Sequence, residues 1–244
     1  MRFRIIGPGR AGGAFTKALT GVGWQLDRTL SRGDDPANAA EGVDLVLLCV
    51  PDGAVATVAG VIAPGDAAVV HVAGSLGLDV LSGHSRAGSV HPLMTMPDAD
   101  RGAASLLDNC WFAVAGDEIT QAIVDALGGR SFAVPDAERM RYHATAAVAS
   151  NHLVALTAQV ARLATSAGVP PAAYWPLMIA SMANVAETDP ATALTGPAAR
   201  ADWDTVRGHR SSLRQLSESD EALYMVLAAE AAALAGHQLP KDLQ

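Results

Sequence analysis

Cysteine is nearly absent from this chain: Cys49 and Cys110 are the only two among 244 residues. So small a number excludes a disulfide framework and a Cys-rich zinc site, and a reducing cytoplasm is the expected compartment. Basic residues are also outnumbered, with 17 Lys and Arg against 25 Asp and Glu and a net charge of −8. That sign excludes binding of nucleic acid through the overall field and leaves room only for a local basic pocket around a small anion. No apolar run reaches the ~18 residues that a membrane span needs, and no charged-then-apolar-then-small pattern precedes the first glycines. Neither a membrane partner nor export is expected. The chain also lacks a G-x-S-x-G elbow, an H-E-x-x-H pair and a Walker lysine after its glycine loop, so hydrolase, zinc-enzyme and kinase chemistry fall away. No metal is expected.

What the chain does have is apolar mass. Half of its residues are hydrophobic, enough for one large domain or two modest ones. Up to residue 134, short apolar runs alternate with glycine-bearing turns and helix-compatible stretches: FRII (3–6), QLDRTL (25–30), DLVLLCV (44–50), AAVVHVA (67–73), WFAVAG (111–116) and SFAV (131–134). This is the pattern of a doubly wound, mostly parallel α/β sheet of Rossmann type. From Pro135 the strands stop. Asp136 can cap a helix that runs without Gly or Pro to Gly168, roughly 45 to 50 Å at 1.5 Å per residue. An alanine-rich stretch, DEALYMVLAAEAAALAG (220–236), also reads as helix. The expected organisation is a dinucleotide-binding domain over 1–134 and an all-α domain over 135–244. A helix that long exposes an apolar stripe, which favours a homodimer formed through the helical domain.

The sequence IGPGRAGG (6–13) places Gly7, Gly9 and Gly12 in G-x-G-x-x-G spacing after an apolar strand and before a helix-compatible segment. Gly7 permits the tight turn, Gly9 admits a pyrophosphate to the backbone, and Gly12 lets helix pack on strand. With Pro8, Arg10 and Ala11 they form the expected phosphate loop at a helix amino terminus. At the end of the second strand, where an NAD site carries Asp or Glu, stand Ser31 and Arg32. A hydroxyl and a guanidinium suit a 2′-phosphate, so NADP(H) is the expected cofactor. Asp34 and Asp35 follow closely, and a shift of two residues in register would reverse that preference.

Ligands of open α/β sheets lie outside the carboxyl ends of the strands. Val50, Pro51 and Asp52 end one strand, and Gly74 and Ser75 follow another; all five are expected beside the cofactor, the alternative being ordinary strand-to-helix turns. His91 precedes a proline, which places it in extended or turn backbone at a cleft edge. On the long helix, His143 and Asn151 lie eight residues apart, about 80° around the axis, so they share a side with Ser150. A buried Asn needs hydrogen-bond partners, which either a substrate or a neighbouring helix would supply.

The stretches DLVLLCVPD (44–52), VVHVAGSLGLDVL (69–81), SVHPLMTM (89–96), YHATAAVASNHLVAL (142–156) and ALTGPAARADWDTVRGH (193–209) together resemble a family of Rossmann-like oxidoreductases with a carboxy-terminal helical domain of unknown function. That family is more distantly similar to 6-phosphogluconate dehydrogenase, pyrroline-carboxylate reductase and ketopantoate reductase. The resemblance covers nearly the whole chain. It implies NADP chemistry at a cleft, a helical domain that dimerises, and a small-molecule substrate, a ketopantoate-like 2-keto acid being the first to try. In related hydroxyacid dehydrogenases a proton-transferring Lys sits four residues before the helix Asn; here that position is Ala147. The acid must then be another group: His143 is the first choice, with His91 and His209 the others. Thr195 and Arg200, in and after the TGP loop, together with His209 and Ser150, are expected to hold the substrate, Arg200 through a carboxylate. Two functions remain: an NADPH-dependent reductase of a C=O or C=N group of a small, carboxylate-bearing metabolite, and a non-catalytic NADP-binding sensor or scaffold, which the missing Lys suggests.

Overall fold

The chain begins with strand β1, Arg2–Ile6, buried over its last four residues, and turns at once into helix α1, Arg10–Gly21. The computed structural model describes residues 1–244. Helix α1 buries Ala14, Phe15, Ala18 and Leu19, an i, i+1, i+4, i+5 stripe that faces the sheet. Strand β2, Gln25–Leu30, pairs with one side of β1 and β3, Leu45–Leu48, with the other. Helix α2, Asp52–Val61, leads to β4, Ala68–His71, and then come β5, Ala87–Pro92, α3, Ala99–Leu107, β6, Trp111–Gly116, α4, Ile119–Ala126, and β7, Arg130–Ala133. One seven-stranded sheet results, in the order β2-β1-β3-β4-β5-β6-β7. Every neighbouring pair is parallel except β5 with β6. All residues of β3 (LVLL) and β4 (AVVH) are buried, as a parallel sheet covered on both faces requires. The chain leaves β1 toward β2 on one side and resumes with β3 on the other, so the topological switch lies at β1.

Two sequence expectations change here. The strand count rises from six to seven, because Ala87–Pro92 (AGSVHP), expected only to be extended or a turn at His91, forms β5 through its pairing with β4 and β6. No helix joins β2 to β3. Arg4, buried in β1, does the connecting work: its Nη1 donates to the carbonyls of Asn38 at 2.8 Å and Ala39 at 2.7 Å, and its Nε to Asp27 at 2.9 Å.

Helices α1 and α3 approach closely because glycine and alanine meet between them. A Cβ on Gly102 would stand 2.7 Å from that of Ala14, and one on Gly13 would stand 2.8 Å from that of Ala99. Asp98 caps α3 by accepting from the Arg101 N–H at 2.8 Å.

The helix expected to run unbroken to Gly168 is divided. A 3₁₀ turn at Asp136–Glu138 precedes α5, Arg139–Ala147; a π turn spans Val148–His152; and α6, Leu153–Ser166, follows. The chain forms two compact units, Met1–His152 and Leu153–Gln244. Strands end at residue 133, yet α5 belongs with the sheet because Arg139 bonds Ser89 and Tyr142 bonds His91, both on β5.

The second unit is helical throughout: α6, α7 (Trp175–Glu187), α8 (Pro190–Ala193), α9 (Trp203–Arg214) and α10 (Glu218–Leu234). Val206, Ala232, Leu239 and Leu243 form its core. Glu221 accepts from Arg210 at 2.8 Å and from Arg214 at 2.8 and 2.9 Å, and the two guanidiniums hold its carboxyl down to about 2. No helix is long and apolar enough to cross a membrane.

The α1–α3 contact predicts opposite outcomes for two helical glycines. Gly102→Val drives a branched side chain into Ala14 and lowers stability by about 1–3 kcal/mol. Gly60→Ala on α2, where a Cβ meets nothing within 4 Å, raises it by about 0.4–1 kcal/mol. Denaturant unfolding of the two variants checks both signs.

Candidate active site

The turn from β1 into α1 is narrow for reasons that differ along it. Gly7 adopts φ +103°, and a Cβ there would lie 2.5 Å from the Cys49 carbonyl oxygen. A Cβ on Gly12 would lie 1.9 Å from the Gly7 carbonyl oxygen and 3.2 Å from the Ile5 side chain. Gly9 is the reverse. It is the N-cap of α1, makes no side-chain cap, and would present a Cβ to open space. The first-turn N–H groups of α1 therefore have no side-chain acceptor and no acidic residue beside them, and the positive end of the helix stands over an open cradle. Pro8 and Arg10 are exposed at its rim and Ala11 is half-buried. This cradle fits a pyrophosphate on its backbone N–H groups.

The Gly7 N–H donates to the Leu30 carbonyl at 2.8 Å, which brings the turn after β2 beside the cradle. In that turn Asp34 accepts from the Ser31 N–H at 2.6 Å and from its hydroxyl at 2.8 Å, bonds that hold the Asp34 carboxyl below its ordinary range. The Ser31 hydroxyl is thus engaged. Arg32 is exposed and its guanidinium bonds nothing in the protein, so of the two residues expected to meet a 2′-phosphate, Arg32 has its donors free.

The next strand ends continue the row. Val50 touches the glycine loop, Pro51 is the N-cap of α2, and Asp52 accepts from the Ser75 hydroxyl at 2.6 Å. Ser75, expected beside the cofactor, ties the loop after β4 to α2 through this bond. His71, buried at the end of β4, braces the same loop: Nε2 donates to the Gly77 carbonyl and Nδ1 accepts from the Ala73 N–H, both at 3.2 Å. Gly74 is packed so closely on His91 that a Cβ would stand 2.8 Å from Nε2. From β1 through β3 and β4 to β5 there are three strand spacings of about 4.8 Å, so the row from cradle to His91 extends roughly 14 Å.

At its far end His91 is joined to the Tyr142 hydroxyl by a 2.6 Å hydrogen bond through Nδ1. Its ring meets those of Tyr142 and His143 edge-on, with centroids 5.4 and 6.1 Å apart. Beneath them Arg139 is almost wholly buried. Its Nε donates to Asp136 at 3.0 Å and its Nη1 to the Ser89 hydroxyl at 3.3 Å, while Nη2 has no partner. Burial first, then the neighbouring His143, pushes the His91 imidazole down to about 4; Asp52 opposes them, and Arg139 and His71 add lesser downward pushes. Burial also lowers His71 and raises the Tyr142 phenol to about 12.

These groups open into a cleft of about 420 Å³ lined by His91 to Thr95 on one side and by α5 and the π turn on the other. His143, Ser150 and Asn151 line it together, with Ala147 between them. The π turn carries the last two into the wall. The single Ser150 O–H is shared between the Ala146 carbonyl at 2.9 Å and Asn151 Oδ1 at 3.0 Å, and the Asn151 amide N–H groups are unpaired donors. No group of three or more His, Cys, Asp or Glu is placed to hold a metal ion.

Thr195, Arg200 and His209 belong to the second unit. Thr195 and Arg200 are exposed, and His209, expected to hold the substrate or to serve as an alternative acid, lies on α9 with Nδ1 bonded to the Tyr224 hydroxyl at 2.8 Å. Sequence reasoning missed Tyr142, His71, Ser89 and Arg139. A histidine within the apolar AVVH run and the arginine and tyrosine three residues apart in RMRYH were the available signals.

Compared with family profiles, the chain matches the one described as a domain of unknown function (DUF2520) over residues 110–231, half its length. No curated protein matches it. A Bacteroides fragilis protein provisionally described as an NADP oxidoreductase is similar with a TM-score of 0.78 at 23% identity, over 95% of this chain and 98% of its own. A Thermotoga maritima protein gives 0.75 at 27% identity, over 96% and 98%. The pyrroline carboxylate reductase of Plasmodium falciparum, solved with NADP bound, gives 0.64 at 11% identity, again over 96% and 98%. These likenesses establish the fold: a Rossmann-type sheet followed by a helical region.

The electrostatics of His91 set a pH dependence. Its folded form resists protonation down to about 4 while the unfolded chain takes up the proton near the ordinary 6.5, so stability is full above pH 6.5 and declines between 6.5 and 4. Thermal unfolding across that window should show a shallower decline for His91→Gln than for the parent; parallel curves would place the acid sensitivity elsewhere.

Proposed function

The chain belongs to the family described as a domain of unknown function (DUF2520), and from its site we propose that it is an NADP(H)-dependent oxidoreductase. The reaction passes hydride to a C=O or C=N group of a small, carboxylate-bearing metabolite, for which a ketopantoate-like 2-keto acid is the first substrate to test. One observation carries this reading: the open cradle at Gly9 and the cleft at His91 are the two ends of a single row of strand-end loops. Similarity of fold to a reductase solved with NADP bound supports it.

When bound, the cofactor supplies the hydride. The N–H groups of α1 hold its pyrophosphate, and Arg32 meets a 2′-phosphate that a carboxylate would repel. Val50, Pro51 and Asp52 border it, and the bare backbone of Gly74 lets the His91 ring pack against the loop after β4, so that His91 stands at the end of the same row. The Asn151 amide donors orient the substrate, with Ser150 fixing the amide. The cleft lining has no Lys or Arg, so within it a substrate carboxylate is met by neutral donors, Thr95 and Asn151 among them, and by His143. His91 or His143 delivers the proton, in place of the lysine that Ala147 replaces. A second copy of the chain is the proposed partner, through the helical unit. Helix α7 has no buried residue and exposes Leu177, Ile179 and Met182 around its circumference, apolar surface that a partner would cover.

Fluorescence titration with NADPH and NADH, followed by a panel of 2-keto acids and cyclic imines, tests the reading. Turnover on one member establishes the reductase; binding without turnover on any returns the chain to the sensor role. Arg32→Ala should weaken NADPH by about 10-fold or more and leave NADH nearly unchanged; equal losses would remove Arg32 from the 2′-phosphate. Asn151→Ala should lower turnover by about 10- to 100-fold with NADPH affinity retained, and unchanged turnover would leave Asn151 a structural role.

A further inference from the structure

Tyr142 holds His91 by the only side-chain hydrogen bond that His91 makes. Its ring stands edge-on to Phe132 and to His91, with centroids 5.8 and 5.4 Å away, so packing on two sides fixes the hydroxyl against Nδ1. The other imidazole nitrogen, Nε2, has no partner in the protein; that end of the ring packs over Gly74, and His91 lines the cleft. Neutral imidazole has two tautomers, and the bond at one nitrogen selects which carries the proton. A phenol is a better donor than a neutral imidazole N–H, and the unprotonated ring nitrogen is a better acceptor than a phenol oxygen. The pairing that uses both is O–H of Tyr142 donating to Nδ1, which puts the ring proton on Nε2.

We infer that Tyr142 is a positioning residue that fixes His91 as the Nε2–H tautomer and presents that N–H beside Gly74 as the donor to the substrate's carbonyl oxygen or imine nitrogen. The inference rests on the reductase reading and commits it to His91 over His143. As hydride from reduced nicotinamide adds to the carbonyl carbon, the oxygen takes the Nε2 proton and the Tyr142 proton moves to Nδ1. A C–H and an O–H bond form, the C=O π bond breaks, the carbonyl is reduced and the nicotinamide oxidised. The ring stays neutral throughout, which suits a site where burial, His143, Arg139 and His71 all disfavour an imidazolium and Asp52 alone favours one. Burial raises the Tyr142 phenol to about 12, so its phenolate is short-lived: Tyr142 lines the cleft and regains its proton from water there.

Long-range ¹H–¹⁵N correlation of the full ¹⁵N-labelled chain reads the tautomer directly and needs no substrate. The expected result is protonated Nε2 with bare Nδ1 in the parent, and a mixture of tautomers in Tyr142→Phe, which keeps the ring packing. Tyr142→Phe should also lower kcat by about 10- to 100-fold with KM and NADPH affinity little changed. An Nδ1–H tautomer in the parent overturns the inference even if the variant does not fold. So does a Tyr142→Phe protein with unaltered tautomer or unaltered kcat. Absence of turnover by the parent on every substrate would defeat the reductase reading instead, and the tautomer would still decide whether Tyr142 sets the state of His91.

Discussion

Gly12 lies so close to the carbonyl of Gly7 that no side chain can stand between them, and the architecture of the site follows from that contact. It forces α1 to begin directly at the end of β1, where the chain's next two strands fall on opposite sides. The amino terminus of α1 then points into the crevice of the topological switch with its N–H groups uncapped. A side chain at position 12 would push helix from strand, and with it the Ala14 to Leu19 stripe from the core and the α1 backbone from α3.

The strand-end loops downstream carry that fixed edge sideways to the cleft at His91. The loops after β3 and β4 are tied by Ser75 to Asp52, and the second of them is braced by the neutral imidazole of His71. Gly74 then receives the ring of His91, and α5 returns over β5 to place Tyr142 and His143 against it. The buried guanidinium of Arg139, bonded to Ser89 and Asp136, anchors α5, and it adds a lesser push to the burial that keeps His71 and His91 neutral.

Much of this was legible before any coordinates. The glycine spacing and the apolar runs LVLL and AVVH specify a buried parallel sheet because burial on both faces leaves no alternation to misread. His91, His143, Ser150 and Asn151 were each singled out, and the fold gathers them in one cleft. Strand β5 was not legible as a strand, since AGSVHP carries a glycine, a histidine and a proline in six residues and becomes a strand only through two neighbours. The π turn has no sequence mark: VASNH contains neither Gly nor Pro. Tyr142 and Arg139 read as ordinary residues of a helix surface, because what makes them matter is a strand some fifty residues earlier. The clasp of Asp34 on Ser31 was hidden for a different reason, since residues three apart in a loop can meet or not according to backbone alone.

The central claim is that one dinucleotide lies along the row from Gly9 to His91. The measurement that tests it most directly is a crystal structure of the chain with NADP⁺ bound. The account predicts the pyrophosphate on the backbone N–H groups from Gly9 to Gly12, the 2′-phosphate at Arg32 and the nicotinamide ring against Gly74 within reach of His91. A dinucleotide that leaves the α1 terminus open, or that turns its nicotinamide away from β4 and β5, would contradict it.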